Sequence, residues 1–171
     1  RTAEPIARQN KCEIQVLCWL AELGHPTLEG KDTSEVKEIF NPGFPKTLEE
    51  WFKPRQGEAF DAFRRRVFEG IETLLGNGHK LGSTVIEGRR LWTQPEEDLD
   101  ILVVSHGGTS SMLLCYLLDC EPIPWAWERF GLGWADSCQL NMSAITSEAS
   151  IWSLATFNGL GRSPGLRPIK L

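Results

Sequence analysis

The chain has 171 residues, of which 41% are hydrophobic and 24% charged, and a formal net charge of −5 at pH 7. That length and composition predict one globular domain, residues 1–171, with a single hydrophobic core. The acidic balance argues against a nucleic-acid partner, because no basic stretch is long enough to follow a phosphate backbone. No apolar run approaches the roughly 20 residues that cross a bilayer, so we predict no membrane partner.

The chain contains five cysteines, and none of them forms the C-x-x-C pair of a structural zinc site. Most lie among apolar residues, which favours buried, reduced thiols and a cytoplasmic location. The three histidines are spread along the chain without the spacing of metal ligands. We therefore predict no metal site and no cofactor.

The first third of the chain predicts short elements. Residues Thr2–Arg8 fit a short helix, and the β-branched run Ile14–Cys18 predicts a strand. Prolines and glycines interrupt the segment Leu23–Pro54, which predicts irregular structure with helical turns near Ser34–Ile39 and Thr47–Phe52.

Two longer helices and a buried strand are predicted further along the chain. Five apolar side chains spaced three or four residues apart indicate the buried face of a helix that ends at Gly76-Asn77-Gly78: Phe60, Phe63, Val67, Ile71 and Leu74. The run Ile101–Val104 predicts a strand buried on both faces, as in a parallel sheet. A second, apolar helix is predicted from Thr109 to Leu118.

The last third predicts a hairpin and a tail. Cys138–Ile145 and Ile151–Thr156 read as two strands joined by a short polar turn, and residues 159–171 as a surface tail. Together the elements predict an α/β fold, a three-layer α/β/α sandwich with a mostly parallel central sheet.

The strongest chemical signal is the stretch Val104–Thr109, which places His106 in a tight turn between the predicted strand and the apolar helix. Ligands bind at this carboxyl edge of open α/β sheets. The paired glycines Gly107 and Gly108 allow a close backbone approach, and the free N–H groups of a helix N-terminus suit an anion. A histidine there can donate to a phosphoryl oxygen.

Two other interpretations of His106 stay open. A lone histidine after a strand is often an ordinary loop or core residue that has found a hydrogen bond. A His-Gly-Gly turn also forms oxyanion holes in esterases, but that fold requires a G-x-S-x-G nucleophile elbow, which this sequence lacks.

Four stretches, in order, resemble motifs of the histidine phosphatase superfamily, the phosphoglycerate-mutase-like enzymes. Ile101–Leu118 is similar to the second histidine motif of that family. The other three are Thr2–Ala7, similar to its "TA-x-x-I" helix; Leu20-Ala21-Glu22 with Glu29-Gly30, similar to "L-x-E … x-E-G"; and Gly57-Glu58-Ala59 with Phe63 and Arg66-Val67, similar to "G-E-S … F-x-x-R-V".

The resemblance implies site residues by position. His106 matches the second histidine, which contacts the phosphoryl group, and Gly107 and Thr109 are then phosphate-binding candidates beside it. Glu22 matches the acidic residue that protonates the leaving oxygen in many members. The alternative for Glu22 is a solvated loop glutamate.

One motif of the family is missing. Its nucleophile is a histidine in an early "R-H-G" motif, but neither His25 nor His79 follows an arginine or precedes a glycine. We therefore expect the nucleophile to lie outside the printed chain, in a longer protein. The alternatives are a true fragment, a chain completed by a partner, and a degenerate homologue.

The resemblance implies a phosphomonoester hydrolase that forms a phosphohistidine and acts on a small phosphorylated substrate. Two alternatives remain: a mutase of the same fold, and a non-catalytic phosphate-binding or protein-interaction module. The cluster Trp125, Trp127 and Trp134 keeps the last one open, since it fits a partner surface as well as core packing.

Substrate choice is predicted to lie in a cap formed by residues 31–56. Its aromatic residues Phe40, Phe44 and Trp51 favour a bulky, partly apolar leaving group.

Overall fold

The computed structural model describes residues 2–24, 28–40, 47–52, 57–96, 99–125 and 127–157. Its α-helices are α1 (Ala3–Asn10), α2 (Thr33–Phe40), α3 (Leu48–Phe52), α4 (Phe60–Thr73) and α5 (Gly107–Leu117). Its strands are β1 (Ser83–Ile86), β2 (Arg89–Thr93), β3 (Cys138–Ala144) and β4 (Ala149–Phe157). All five predicted helical segments and the carboxy-terminal hairpin are confirmed to within a few residues.

Helix α4 carries one wall of the core on the face that its apolar spacing predicts. Phe60, Phe63, Val67 and Ile71 are buried on α4, and the helix continues through one π turn, Leu74–Gly78. Leu75, in that π turn, is buried as well. Burial of such side chains contributes about 1.5–3 kcal/mol each, so this face anchors the region around the site.

Helix α5 is buried on most of its surface and packs against α4. Its consecutive apolar residues leave no polar stripe, as expected for a helix inside the molecule. The core that the two helices share with β2 consists of Phe60, Phe63, Val67, Ile71, Leu75, Leu81, Trp92, Met112, Leu113 and Tyr116. The amino-terminal end of α5, which carries the candidate site, is thereby fixed on a packed helix.

The sheet is antiparallel, in the order β1-β2-β4-β3. The structure thus confirms a mixture of helices and a sheet, but the mostly parallel sheet that was predicted differs from the sheet observed. Hairpin β1–β2 was not predicted; it turns at Glu87 and Gly88, which both have positive φ, at 51° and 76°. Two-residue turns of this kind match the twist of antiparallel strands.

The predicted strands at residues 14–18 and 101–104 lie outside the sheet, which explains the difference. Val16 is 86% exposed and Leu102 is 65% exposed. Apolar, β-branched residues favour an extended chain, but a strand also needs the backbone of a neighbour. No described strand supplies that neighbour to either segment.

None of the helices in the described residues is long and apolar enough to cross a membrane. The predicted tail, residues 159–171, and part of the predicted cap lie outside the described residues. The division of the chain into domain, cap and tail therefore stays a prediction.

Candidate functional site

His106 occupies the N-cap position of α5, with extended backbone angles of φ −117° and ψ 167°. Its carbonyl oxygen accepts the N–H of Ser110 at 2.8 Å and so closes the first turn of the helix. The side chain is exposed, and no described residue hydrogen-bonds its imidazole. The ring is therefore available to a ligand at the end of the helix.

The carboxylate of Glu22 reaches the same helix end from a distant part of the chain. Its Oε2 accepts the N–H of Gly108 at 3.0 Å, and its Oε1 accepts the N–H of Thr109 at 3.1 Å. Oε1 also accepts the N–H of Leu23 at 2.9 Å. A negative charge at this position satisfies N–H groups that the helix leaves unpaired and interacts favourably with its dipole.

Gly108 is what permits that approach. A Cβ atom at this position would lie 2.6 Å from Oε1 of Glu22 and 3.3 Å from its Cδ. Real Cβ atoms do not come so close to other heavy atoms, so a side chain here would displace the carboxylate. Glycine is therefore needed at position 108 for a steric reason, because any side chain there would clash with Glu22.

Gly107 contributes a free backbone donor. Of the first four N–H groups of α5, those of Gly108 and Thr109 bind Glu22 and that of Ser110 binds His106. Within the described part of the chain, the N–H of Gly107 has no acceptor, and the residue is exposed. An exposed N–H at a helix N-terminus, next to an unpaired imidazole, is suited to an anion.

Two hydroxyl groups tie α5 to the segment that carries Glu22. Thr109 donates its hydroxyl to the carbonyl of Ala21 at 2.8 Å, and Ser105 donates to the carbonyl of Leu20 at 2.8 Å. Thr109 is completely buried. Its predicted role as a phosphate ligand stays a prediction, and in this structure its hydroxyl is used to hold the Glu22 segment.

Arg66 and Glu58 hold that segment from the side of α4. Arg66 donates from Nε to Oε1 of Glu58 at 3.0 Å and from Nη2 to Oε2 at 2.7 Å. It also donates to the carbonyls of Trp19 at 2.8 Å, Ala21 at 3.0 Å and Glu22 at 3.3 Å. The hydrogen bond from Arg66 keeps the pKa of Glu58 below its ordinary value.

The sequence placed Glu58 and Arg66 in a family motif but did not indicate this function. Glu58 also accepts the N–H of Gly24 at 3.0 Å, two residues after Glu22. Their spacing does not indicate the contact, because Glu58 precedes α4, which begins at Phe60, and only residues three or four apart are neighbours on a helix. Nothing local in the sequence indicates the backbone groups that they bind.

The predicted specificity residues are only partly described. Phe40 ends α2 and only its backbone is described, Phe44 lies outside the described residues, and Trp51 lies half-buried in α3. Next to Trp51, the ring of Phe52 makes edge-to-face contacts at 5.8 Å with both Phe60 and Trp125. The roles of Phe40, Phe44 and Trp51 in substrate choice stay predictions.

Comparison with known proteins identifies one family. The family model of the histidine phosphatase superfamily (branch 1) matches residues 1–158 of the chain. No curated protein gives a significant match, and neither does any solved structure.

Proposed function

Because the chain belongs to the histidine phosphatase superfamily, branch 1, we propose that it is a phosphomonoester hydrolase that works through a phosphohistidine intermediate. The observation that carries the proposal is the meeting of Glu22 and His106 at the amino-terminal end of α5. An acid, an imidazole that no described residue hydrogen-bonds and a helix N-terminus in one place can serve phosphoryl transfer beside a nucleophile.

The proposed reaction has two steps. The imidazole of the family's nucleophilic histidine, which is not among the three histidines of the printed chain, attacks phosphorus, and the bond to the leaving oxygen breaks. Glu22 gives its proton to that oxygen. A water molecule then attacks phosphorus, the P–N bond breaks with its electron pair returning to the imidazole, and the proton of the water passes to Glu22.

The described residues support distinct parts of these steps. His106 and the N–H of Gly107 are free to donate to the equatorial phosphoryl oxygens. Oε2 of Glu22 accepts one hydrogen bond from the described residues, from Gly108, and so has a second position that can carry a proton.

We further propose that the complete protein has the three-layer, mostly parallel sandwich. Exposed apolar side chains on the two segments outside the sheet support this: Ile14, Val16, Ile101, Leu102 and Val103. In a mostly parallel sheet, helices cover both faces, and apolar side chains of this kind on the strands are then buried. A crystal structure of the complete protein that left both segments unpaired would contradict the proposal.

The substrate class and the location are also proposals. The aromatic residues of the predicted cap, Phe40, Phe44 and Trp51, support a leaving group that is bulky and partly apolar. Comparing hydrolysis of aromatic or lipid phosphates with that of small sugar phosphates tests this, and a preference for the small ones would refute it. The prediction that most of the thiols are buried is wrong, because Cys12, Cys18 and Cys120 are exposed. That the five thiols are free supports a reducing, cytoplasmic setting.

The function is tested with the His106→Ala variant of the complete protein, as its gene encodes it. Turnover of para-nitrophenyl phosphate should fall by about a hundredfold or more, because a donor to the developing charge is lost. His79→Ala is the matched control, since His79 follows the π turn after α4 and is not part of the site. A variant within a few fold of the wild type would refute the assignment.

The same assay separates the alternatives. Dependence on a bisphosphorylated primer would indicate a mutase in place of a hydrolase. Phosphate binding without any turnover by the complete protein would indicate a binding module.

A further inference from the structure

We propose, on the basis of that function, that Arg66 is the positioning residue of the site. It holds the segment Trp19–Glu22 against α4, and this places the carboxylate of Glu22 at the end of α5. The family match covers Arg66 without assigning it this task.

The hydrogen bonds of Arg66 use the whole guanidinium group. Nη1 donates to the carbonyls of Trp19 and Ala21, and Nη2 donates to that of Glu22, at distances between 2.8 and 3.3 Å. The other donations, from Nε and Nη2, go to Glu58. A planar group with donors on two edges can bind three carbonyls and a carboxylate together, whereas a lysine ammonium cannot reproduce that geometry.

The bound segment needs this support. The short 3₁₀ turn Cys18–Leu20 ends before Glu22, and residues 21–24 belong to no helix or strand, so their backbone groups lack the partners that regular structure supplies. Arg66 supplies partners on one side of Glu22, and Glu58 accepts the N–H of Gly24 on the other side. The backbone is therefore fixed both before and after the acid.

Glu58 in turn fixes Arg66. The two oxygens of the carboxylate face Nε and Nη2 in a bidentate pair, and only about a quarter of the Arg66 side chain is exposed, at 26%. Such pairs restrict the orientation of the guanidinium as well as its position. The pair with Glu58 therefore fixes the orientation in which Arg66 binds the Glu22 segment.

The kinetic test compares Arg66→Lys with wild-type complete protein on two substrates. Glycerol phosphate has an alkoxide leaving group that requires a proton from Glu22, whereas para-nitrophenolate leaves with little protonation. We expect kcat/KM to fall on the order of tenfold or more for glycerol phosphate and much less for para-nitrophenyl phosphate. An equal loss on both substrates would indicate a merely structural role and would overturn the proposal, as would no loss on either.

Arg64→Lys is the matched control. Arg64 lies on the same helix, and its exposed side chain pairs with Asp61 at 3.6 Å. This substitution should leave both kcat/KM values unchanged. Thermal melting of each variant checks that it is folded.

A second measurement does not depend on catalysis. The amide resonances of Gly108 and Thr109 in NMR spectra report whether Glu22 is in place, because its carboxylate accepts both N–H groups. Glu22→Ala should shift both resonances, and Arg66→Met should shift them in the same direction. Unchanged resonances of both amides in folded Arg66→Met protein would overturn the proposal, even if the enzyme proved to have no phosphatase activity.

The two proposals can therefore fail separately. Shifted amide resonances in Arg66→Met together with an inactive wild type would support the positioning role and reject the hydrolase. The opposite result is an active wild type that loses activity in His106→Ala, together with an Arg66→Lys variant whose leaving-group preference is unchanged. That result would support the hydrolase and reject the positioning role.

Discussion

The contact between Gly108 and Glu22 links one glycine to the proposed proton donor. A methyl group on Gly108 would overlap Oε1 of Glu22, at 2.6 Å. The glutamate side chain is flexible at its end, so it can swing away and give up its hydrogen bonds to α5. Loss of such a cap costs about 1 kcal/mol, but alanine is a better helix former than glycine by a similar amount.

Gly108→Ala should therefore change the melting temperature little and lower turnover of an alkyl phosphate clearly, by about tenfold or more. The measurement is kcat of the complete protein together with its thermal unfolding. Ser110→Ala, in the same helical turn, is the control, since only the backbone N–H of Ser110 takes part in the site. Full activity of Gly108→Ala would show that the position of the carboxylate does not matter.

At the scale of residues, the sequence indicates the site in part. The turn between the predicted strand and helix singled out His106, the family resemblance implied Glu22, and the structure brings both to one helix end. The capping of α5 by Glu22 was not predictable, because the two groups are far apart in sequence and only the tertiary fold joins them. The same holds for the carbonyls bound by Arg66.

Among the elements, α4 and the 3₁₀ turn Cys18–Leu20 meet at a glycine. A Cβ atom on Gly70 would lie 2.2 Å from Cδ2 of Trp19 and 2.3 Å from its Cγ. The indole ring is rigid and packs against the core, so it cannot move aside as Glu22 can. Gly70 thus lets the Trp19 ring lie directly on the helix.

Gly70→Ala should lower the free energy of unfolding by about 1–3 kcal/mol, because overpacking outweighs the gain of up to about 1 kcal/mol in helix propensity. Urea denaturation measures the change. Gly76→Ala is the matched control: the nearest atom to its Cβ is 4.0 Å away, so it should be neutral or stabilising. A Gly70→Ala protein as stable as the wild type would contradict this packing.

The elements differ in how far local pattern defines them. Helix α4 follows from its apolar spacing, helix α5 from a continuous apolar run, and hairpin β3–β4 from two β-rich runs close in sequence. The runs at residues 14–18 and 101–104 have the same β-rich composition but no described neighbour to pair with. Composition predicts an extended chain, whereas pairing depends on segments elsewhere in the fold.

For the whole molecule, the stability of the folded chain is coupled to pH through Glu58. The hydrogen bond from Arg66, and then that from Gly24, favour the ionised carboxylate and lower its pKa from the ordinary value of 4.5. A group whose pKa is lowered by folding contributes stability above its unfolded pKa. That contribution is lost as the pH falls through the folded value.

Glu58→Gln should therefore destabilise the protein by about 1–2 kcal/mol at neutral pH, since a charge-assisted hydrogen-bonded pair is lost. At pH values below the folded pKa of Glu58, wild type and variant should approach the same stability, because the side chain at position 58 is then neutral in both proteins. Urea denaturation across the acidic range measures the difference. Glu148→Gln removes an exposed carboxylate that no described residue hydrogen-bonds, and it should show no such convergence. If the loss in the free energy of unfolding of Glu58→Gln stayed constant down to strongly acidic pH, the loss would come from packing and not from charge.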